Sequence, residues 1–157
     1  LWNPSGLIIL RAYTKMYAVP GVRFGWCMTA DAVLIEKLYH AGQPWNVSVI
    51  AQACAAAAAH EPDWATETAK RIAKERRFLS DGLCSLRTDR LYRARPNFLL
   101  FRSNDTGLHE KLAEHGIMIR NCDNYRGLSA GYYRVAVKTR EASKCLLNAI
   151  KLIMENG

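Results

Sequence analysis

A strand–loop–strand pattern near the start of the chain restricts its fold most. Leu7-Ile8-Ile9-Leu10 is a continuous apolar run, the pattern of a strand buried on both faces. Residues 22–28 form a second strand-like run. Between the two, Lys15 follows the first run and Arg23 stands eight residues later, behind a Pro20-Gly21 pair that lets the chain turn back sharply. The expected order is strand, lysine, tight loop, arginine, strand, with both charged side chains facing one pocket.

The rest of the chain is read by period and punctuation. Thr29 is placed to cap a helix with Asp31 in its first turn, and that helix stops at Gly42-Gln43-Pro44. Pro44-Trp45-Asn46 is a loop, and residues 47–60 form an alanine-rich helix. Pro62 opens a long charged helix with Trp64, Ala65, Thr68, Ala69, Ile72, Phe78 and Leu79 at helical spacing, ending near residues 82–86. From Arg90 onward the pattern becomes β-rich. Strands are expected at Leu91-Tyr92-Arg93, Phe98-Leu99-Leu100-Phe101, Ile117-Met118-Ile119-Arg120 and Tyr133-Arg134-Val135-Ala136-Val137. A short helix over 108–115, capped near Asp105 or Thr106, ends at Gly116, and a last helix is capped by Thr139. The fold class is α/β in the first part, followed by a small α+β module.

Composition restricts the function classes. The chain has 157 residues, half of them apolar, and its longest apolar stretch, residues 53–59, is far too short to span a membrane. No basic leader with an apolar segment opens it, and Leu1-Trp2-Asn3-Pro4 reads as an internal cut. The net charge of +8 is scattered along the sequence, with acids interleaved on the long helix and no aromatic–basic stripe, which argues against nucleic acid. Cys27, Cys54, Cys84, Cys122 and Cys145 are widely spaced and odd in number, so they read as buried small residues in a reducing cytoplasm rather than a metal or disulfide framework. His40, His60, His109 and His115 are isolated and read as helix-surface or helix-end residues, and Trp26, Trp45 and Trp64 as core.

The lysine segment carries chemistry. A lysine that attacks an aldehyde must first lose its proton, which burial and nearby positive charge favour. Arg11 and Arg23 are close to Lys15 in sequence, Thr14 adds a hydroxyl, and an arginine fork suits a phosphate. An ordinary surface loop also contains such a pair. The longer pattern is more specific: Thr14-Lys15 followed by Pro20-Gly21-Val22-Arg23-Phe24-Gly25 resembles the Schiff-base segment of fold type I pyridoxal-phosphate enzymes of the class I/II aminotransferase group. That resemblance implies pyridoxal 5'-phosphate as cofactor, Lys15 as its imine-forming and proton-moving residue, and Thr14 and Arg23 as phosphate ligands. In the family a hydroxyl residue stands three before the lysine; here it is Ala12, so one phosphate hydrogen bond is missing or comes from elsewhere. Tyr13 and Tyr17 flank the lysine and read as packing residues.

A second constellation lies downstream. Gly116-Ile117-Met118-Ile119-Arg120-Asn121-Cys122 and Tyr133-Arg134-Val135-Ala136-Val137-Lys138-Thr139 resemble the C-terminal domain of histidinol-phosphate aminotransferases and of the threonine-phosphate decarboxylases of cobalamin biosynthesis. By that resemblance Arg120 meets a substrate phosphate and Arg134 its α-carboxylate. Two edge-strand arginines paired with surface acids are the plainer alternative. Pro44-Trp45-Asn46-Val47-Ser48 fits the loop near the substrate, which makes Asn46 a substrate-contact candidate. Pro96-Asn97-Phe98-Leu99 resembles the strand that opens the small domain.

The resemblance implies a division into residues 1–60, the C-terminal part of a cofactor-binding large domain; 61–88, a bridging helix; and 89–157, a small α+β domain. It implies a cytoplasmic homodimer acting on a phosphorylated amino acid, with no nucleic-acid or membrane partner. Decarboxylation of the threonine-phosphate type is favoured by the loop Asn121-Cys122-Asp123-Asn124-Tyr125-Arg126-Gly127-Leu128, with histidinol-phosphate transamination as the alternative. A non-catalytic C-terminal or dimerisation module is a further alternative. The family's acid for the pyridine nitrogen, its stacking ring and its glycine-containing phosphate turn all precede the lysine. No acid occurs among residues 1–14, so this chain alone is expected to be inactive.

Overall fold

The computed structural model of the chain describes residues 6–86, 88, 90–92 and 97–155. The reading of residues 1–4 as a cut, and the expected parts of Arg93 and Pro96, lie outside these. The chain is a mixture of helices and antiparallel strands. It divides into two compact units, residues 1–68 and 69–157, with the boundary inside one long helix. Among the described residues no helix is long and apolar enough to cross a membrane.

In the first unit β1 (Ile9–Ala12) pairs antiparallel with β2 (Gly25–Met28). Between them lie α1 (Tyr13–Met16) and a 3-10 turn at Pro20–Val22. Next come α2 (Ala32–Ala41) and α3 (Val49–Ala59), the latter lying against the Pro20–Val22 turn. Asp31, not Thr29, caps α2: its carboxylate accepts from the Leu34 amide at 3.0 Å, while Thr29 accepts from the Asp31 amide. A carboxylate is the better acceptor there and also suits the positive helix end. Ser48 caps α3 in the same way, accepting from the Ala51 amide at 3.1 Å.

The apolar run at Leu7 is corrected by the structure. The strand starts two residues later and is exposed throughout; Leu10 is 76 % accessible. A run buried on both faces needs a layer on each, and among the described residues of its unit β1 pairs with β2 alone and is left exposed. Trp26, Trp45 and Trp64 are not core for the same reason, Trp45 being 97 % exposed. Of the described side chains in this unit only that of Ala51 is fully buried among apolar residues.

α4 (Pro62–Ser85) leads into the second unit. There β3 (Arg90–Tyr92), β4 (Phe98–Arg102), β5 (Arg120–Asn121) and β6 (Tyr132–Ala136) form one antiparallel sheet in the order β3-β4-β6-β5. α5 (Leu108–Glu114) and α6 (Arg140–Glu155) complete it. One sheet face buries Leu99, Phe101, Tyr133 and Val135 against Leu79 and Leu83 of α4, Leu112 of α5 and Ile150 of α6. The alternate residues of β4 and β6, from Phe98 to Arg102 and Tyr132 to Ala136, form the other face, as a period of two requires.

Two details differ from expectation. The strand over Ile117-Met118-Ile119-Arg120 reduces to Arg120–Asn121. Gly116 (φ +72) donates to the Ala113 carbonyl at 2.9 Å and the Ile117 amide to the Leu112 carbonyl at 2.9 Å, a Schellman closure that holds the chain at the helix end before it joins the sheet. His109 stands at the start of α5, a helix end as expected. It is half-buried, with its ring 5.8 Å from that of Tyr133, and its Nε2 lies 3.4 Å from the Asn121 amide nitrogen. The cysteine expectation holds only for Cys122; Cys27, Cys84 and Cys145 are exposed and Cys54 is half-buried, because β2, like β1, is left exposed among the described residues of its unit and the helical cysteines lie off the packed stripes.

Candidate active site

The first unit positions its charged pair by register. The ladder ends at Ala12 opposite Gly25, and the Tyr13 amide donates to the Phe24 carbonyl at 3.2 Å. Lys15, three residues past Ala12, and Arg23, two before Gly25, therefore leave the same end of one ladder. Gly25 is required there: a Cβ would sit 2.8 Å from the Arg11 carbonyl oxygen, so the strands close only on a glycine. Gly21 has open space and an ordinary φ.

Arg23 adopts a left-handed backbone (φ 58, ψ 45), uncommon for a residue with a Cβ, and Ala18 does so too (φ 54). The Arg23 Nη1 donates to the Pro20 carbonyl at 3.0 Å, which orients the fork and leaves its other donors available. Lys15 is exposed and Thr14 half-buried on α1. The expected burial of the lysine is not found among the described residues of this unit. Tyr13 packs on Tyr17 (4.6 Å) and edge-on to Phe24 (5.0 Å), the packing role read from sequence. Trp64 Nε1 donates to the Met16 carbonyl at 2.9 Å and so pins the end of the lysine helix. Asn46 is exposed in the loop after α2, next to Trp45, which is also left-handed (φ 61).

The second unit brings Arg120 and Arg134 together. They are directly opposite in the β5–β6 register, on the sheet face away from the core. Like charges so placed repel, which favours an anion between them. The Arg120 Nη2 donates to Asn124 Oδ1 at 3.2 Å and its guanidinium lies 5.6 Å from the centre of the Tyr125 ring; that of Arg134 lies over Phe98 at 4.5 Å. Both guanidinia are thus oriented by residues that the motif reading quoted without assigning a role. Burial pushes the Cys122 thiol up, and the guanidinia of Arg134 and Arg120 offset that only in part, so the thiol stays neutral beside them. Both arginines line a cavity of about 390 Å³ with apolar walls that include Ile117, Ile119 and Leu146.

The sequence matches the aminotransferase class I and II family over residues 2–150. The chain belongs to that family. It is 32 % identical over 154 residues to a threonine-phosphate decarboxylase of Salmonella typhimurium, covering 97 % of this chain and 42 % of the relative. It is 31 % identical over 149 residues to histidinol-phosphate aminotransferase 2 of Archaeoglobus fulgidus, covering 95 % and 43 %. A solved histidinol-phosphate aminotransferase from Clostridium acetobutylicum superposes with a TM-score of 0.91 at 29 % identity, over 96 % of this chain and 46 % of that one. The chain spans less than half the length of these relatives, and the two activities in their names occur at similar identity.

Proposed function

We propose that this chain supplies the cofactor-bearing lysine and the substrate-binding arginines of a pyridoxal-phosphate-dependent enzyme acting on a phosphorylated amino acid. The observation that carries the reading is the lysine–arginine arrangement on one ladder end, closed by an obligatory Gly25 and held by a left-handed Arg23, in a chain of this family. The donors present fit the cofactor: a primary amine for its aldehyde, and a guanidinium and a hydroxyl for its phosphate. Bound there, pyridoxal phosphate supplies an electron sink for the bond broken at the substrate's Cα. Lys15 Nζ holds the cofactor and moves protons, while Thr14 and Arg23 hold the phosphate.

Arg134 takes the substrate α-carboxylate and Arg120 its phosphate; Asn46 contacts the substrate. Residues 1–60 serve the cofactor and residues 89–157 the substrate, joined through residues 61–88. By holding the α-carboxylate, Arg134 would set the substrate's pose and so which bond at its Cα is broken. Decarboxylation of the threonine-phosphate type is the first reading, supported by the Asn121–Leu128 loop that holds Arg120 through Asn124 and Tyr125. Histidinol-phosphate transamination is the second, supported by the 0.91 superposition. The apolar residues exposed in the first unit suit a homodimer.

The test is an assay of the whole gene product supplied with pyridoxal phosphate. Release of carbon dioxide from O-phosphothreonine supports the first reading. Amino transfer from histidinol phosphate to a 2-oxo acid supports the second. Neither reaction, with the protein folded and loaded, contradicts both.

A further inference from the structure

Arg120 leaves a very short strand. β5 has two residues and stands at the edge of the sheet, paired with β6. Register puts Asn121 opposite Tyr133, which is fully buried in the core. Alternation along a strand therefore sends Arg120 to the outer face and Asn121 to the core face. So short a ladder does little to fix the strand's twist, and whatever holds Asn121 also sets the direction in which Arg120 leaves.

The Asn121 amide is held at both of its atoms. Its Oδ1 accepts from the Asp123 amide at 3.2 Å, and its Nδ2 donates to Asp123 Oδ2 at 3.0 Å. These two bonds assign the oxygen and the nitrogen of the side chain. The atom 3.4 Å from His109 Nε2 is thus the nitrogen, which only donates, and Nε2 is the acceptor. A neutral imidazole that accepts at Nε2 carries its proton on Nδ1. His109 Nδ1 is buried and makes no hydrogen bond among the described residues. The ring centre lies 5.8 Å from that of Tyr133, a contact that a phenyl ring makes equally well. A buried donor without a partner weakens a fold. What the imidazole offers and a phenyl does not is the acceptor for Asn121.

From Asn121 the path to the guanidinium is short. Asp123 and Asn124 are the central residues of a turn that the Tyr125 amide closes on the Cys122 carbonyl at 3.0 Å. Asn121 fixes the first of them, and the second accepts from Arg120 Nη2 at 3.2 Å. We propose that His109 is a positioning residue for Arg120: by accepting from Asn121 it locks the end of β5 and the turn after it, and so holds the guanidinium where a substrate phosphate meets it. This rests on the reading of Arg120 as the arginine of the phosphate. His109 acts from the core side of the sheet and does not itself touch the substrate.

The experiment compares the parent with His109→Phe, which keeps a ring and loses the acceptor, and with His109→Gln, whose Oε1 can accept in place of Nε2. In the 157-residue chain, nitrogen NMR of the ring is expected to show Nδ1 protonated and Nε2 bare. Titration with inorganic phosphate, followed at the Arg120 Nε–H, should saturate in the parent and weaken about fivefold or more in His109→Phe. His109→Gln should restore most of that loss. The urea midpoint of His109→Phe should be no lower than the parent's, since the unpartnered donor is gone. In the whole gene product His109→Phe should raise KM for the phosphorylated substrate by a similar factor, with kcat little changed. A proton on Nε2, no saturable shift at Arg120 in the parent, or unchanged phosphate affinity in His109→Phe would overturn the inference. Should His109→Phe fail to fold, Asn121→Ala removes the same link from its other side, and unchanged phosphate affinity there overturns it too. A gene product that turns over neither phosphorylated substrate would sink the proposed activity, while the ring tautomer and the phosphate titration would still decide on His109.

Discussion

Gly25 sets how closely the two strands of the first unit meet at the lysine. A Cβ there meets a backbone oxygen, which cannot swing aside as a side-chain end can. Gly25→Ala is predicted to destabilise the unit by about 1–3 kcal/mol, read as a lower urea midpoint at unchanged slope. Gly21→Ala, into open space, should leave the midpoint nearly where it is. Asn124 acts differently: it holds the Arg120 guanidinium from a loop and touches no core. Asn124→Ala is predicted to raise KM for a phosphorylated substrate of the whole gene product about three- to tenfold, with kcat little changed, since a hydrogen bond of this kind contributes about 1 kcal/mol. The spacing of Lys15, Arg23, Arg120 and Arg134 was legible because a motif is local in sequence. The partners that orient the arginines were not. Phe98 reaches Arg134 only because β4 pairs with β6 in one register, and sequence spacing does not contain that register.

At the scale of elements, α4 and α6 are joined by a half-buried ion pair. Arg140 Nε and Nη2 donate to the two Glu75 carboxylate oxygens at 2.7 and 3.0 Å, and the guanidinium sits 3.9 Å from the centre of the Phe78 ring. The hydrogen bond from Arg140 holds the Glu75 carboxyl below its ordinary value. A carboxyl with a depressed folded pKa stabilises the fold above its unfolded pKa, and that contribution is lost as pH falls through the folded value. The urea midpoint of the second unit is therefore predicted to drop below about pH 4.5, and Glu75→Gln should flatten that part of the profile. The sequence showed Glu75 only among neighbours on its own helix; a partner 65 residues away is a product of packing. Helix limits were more legible, because caps and breakers such as Pro62, Gly116 and Thr139 act within a few residues.

For the whole molecule, the buried apolar cluster lies entirely in residues 69–157, and residues 1–68 expose Leu10, Tyr39, Trp45 and Val49. Local opening follows the density of buried contacts. Amide exchange is predicted to be slowest at Phe101, Tyr133 and Ile150 and markedly faster throughout β1 and β2; equal protection in the two units would contradict this. The apolar run at Leu7 misled because such a run specifies cover without saying which chain segment provides it. The 157-residue chain, with no acid among its first fourteen residues to pair with a pyridine nitrogen, is predicted to bind pyridoxal phosphate weakly and to turn over neither substrate. A tight, stoichiometric yellow complex would contradict that.

The central claim is that Lys15 is the cofactor's lysine. Its most direct test is borohydride reduction of the whole gene product after loading with pyridoxal phosphate, followed by peptide mapping. The account predicts one stoichiometric pyridoxyl group on Lys15, lost in Lys15→Ala and reduced in occupancy in Arg23→Ala. A label spread over several lysines, or fixed on another one, would contradict it.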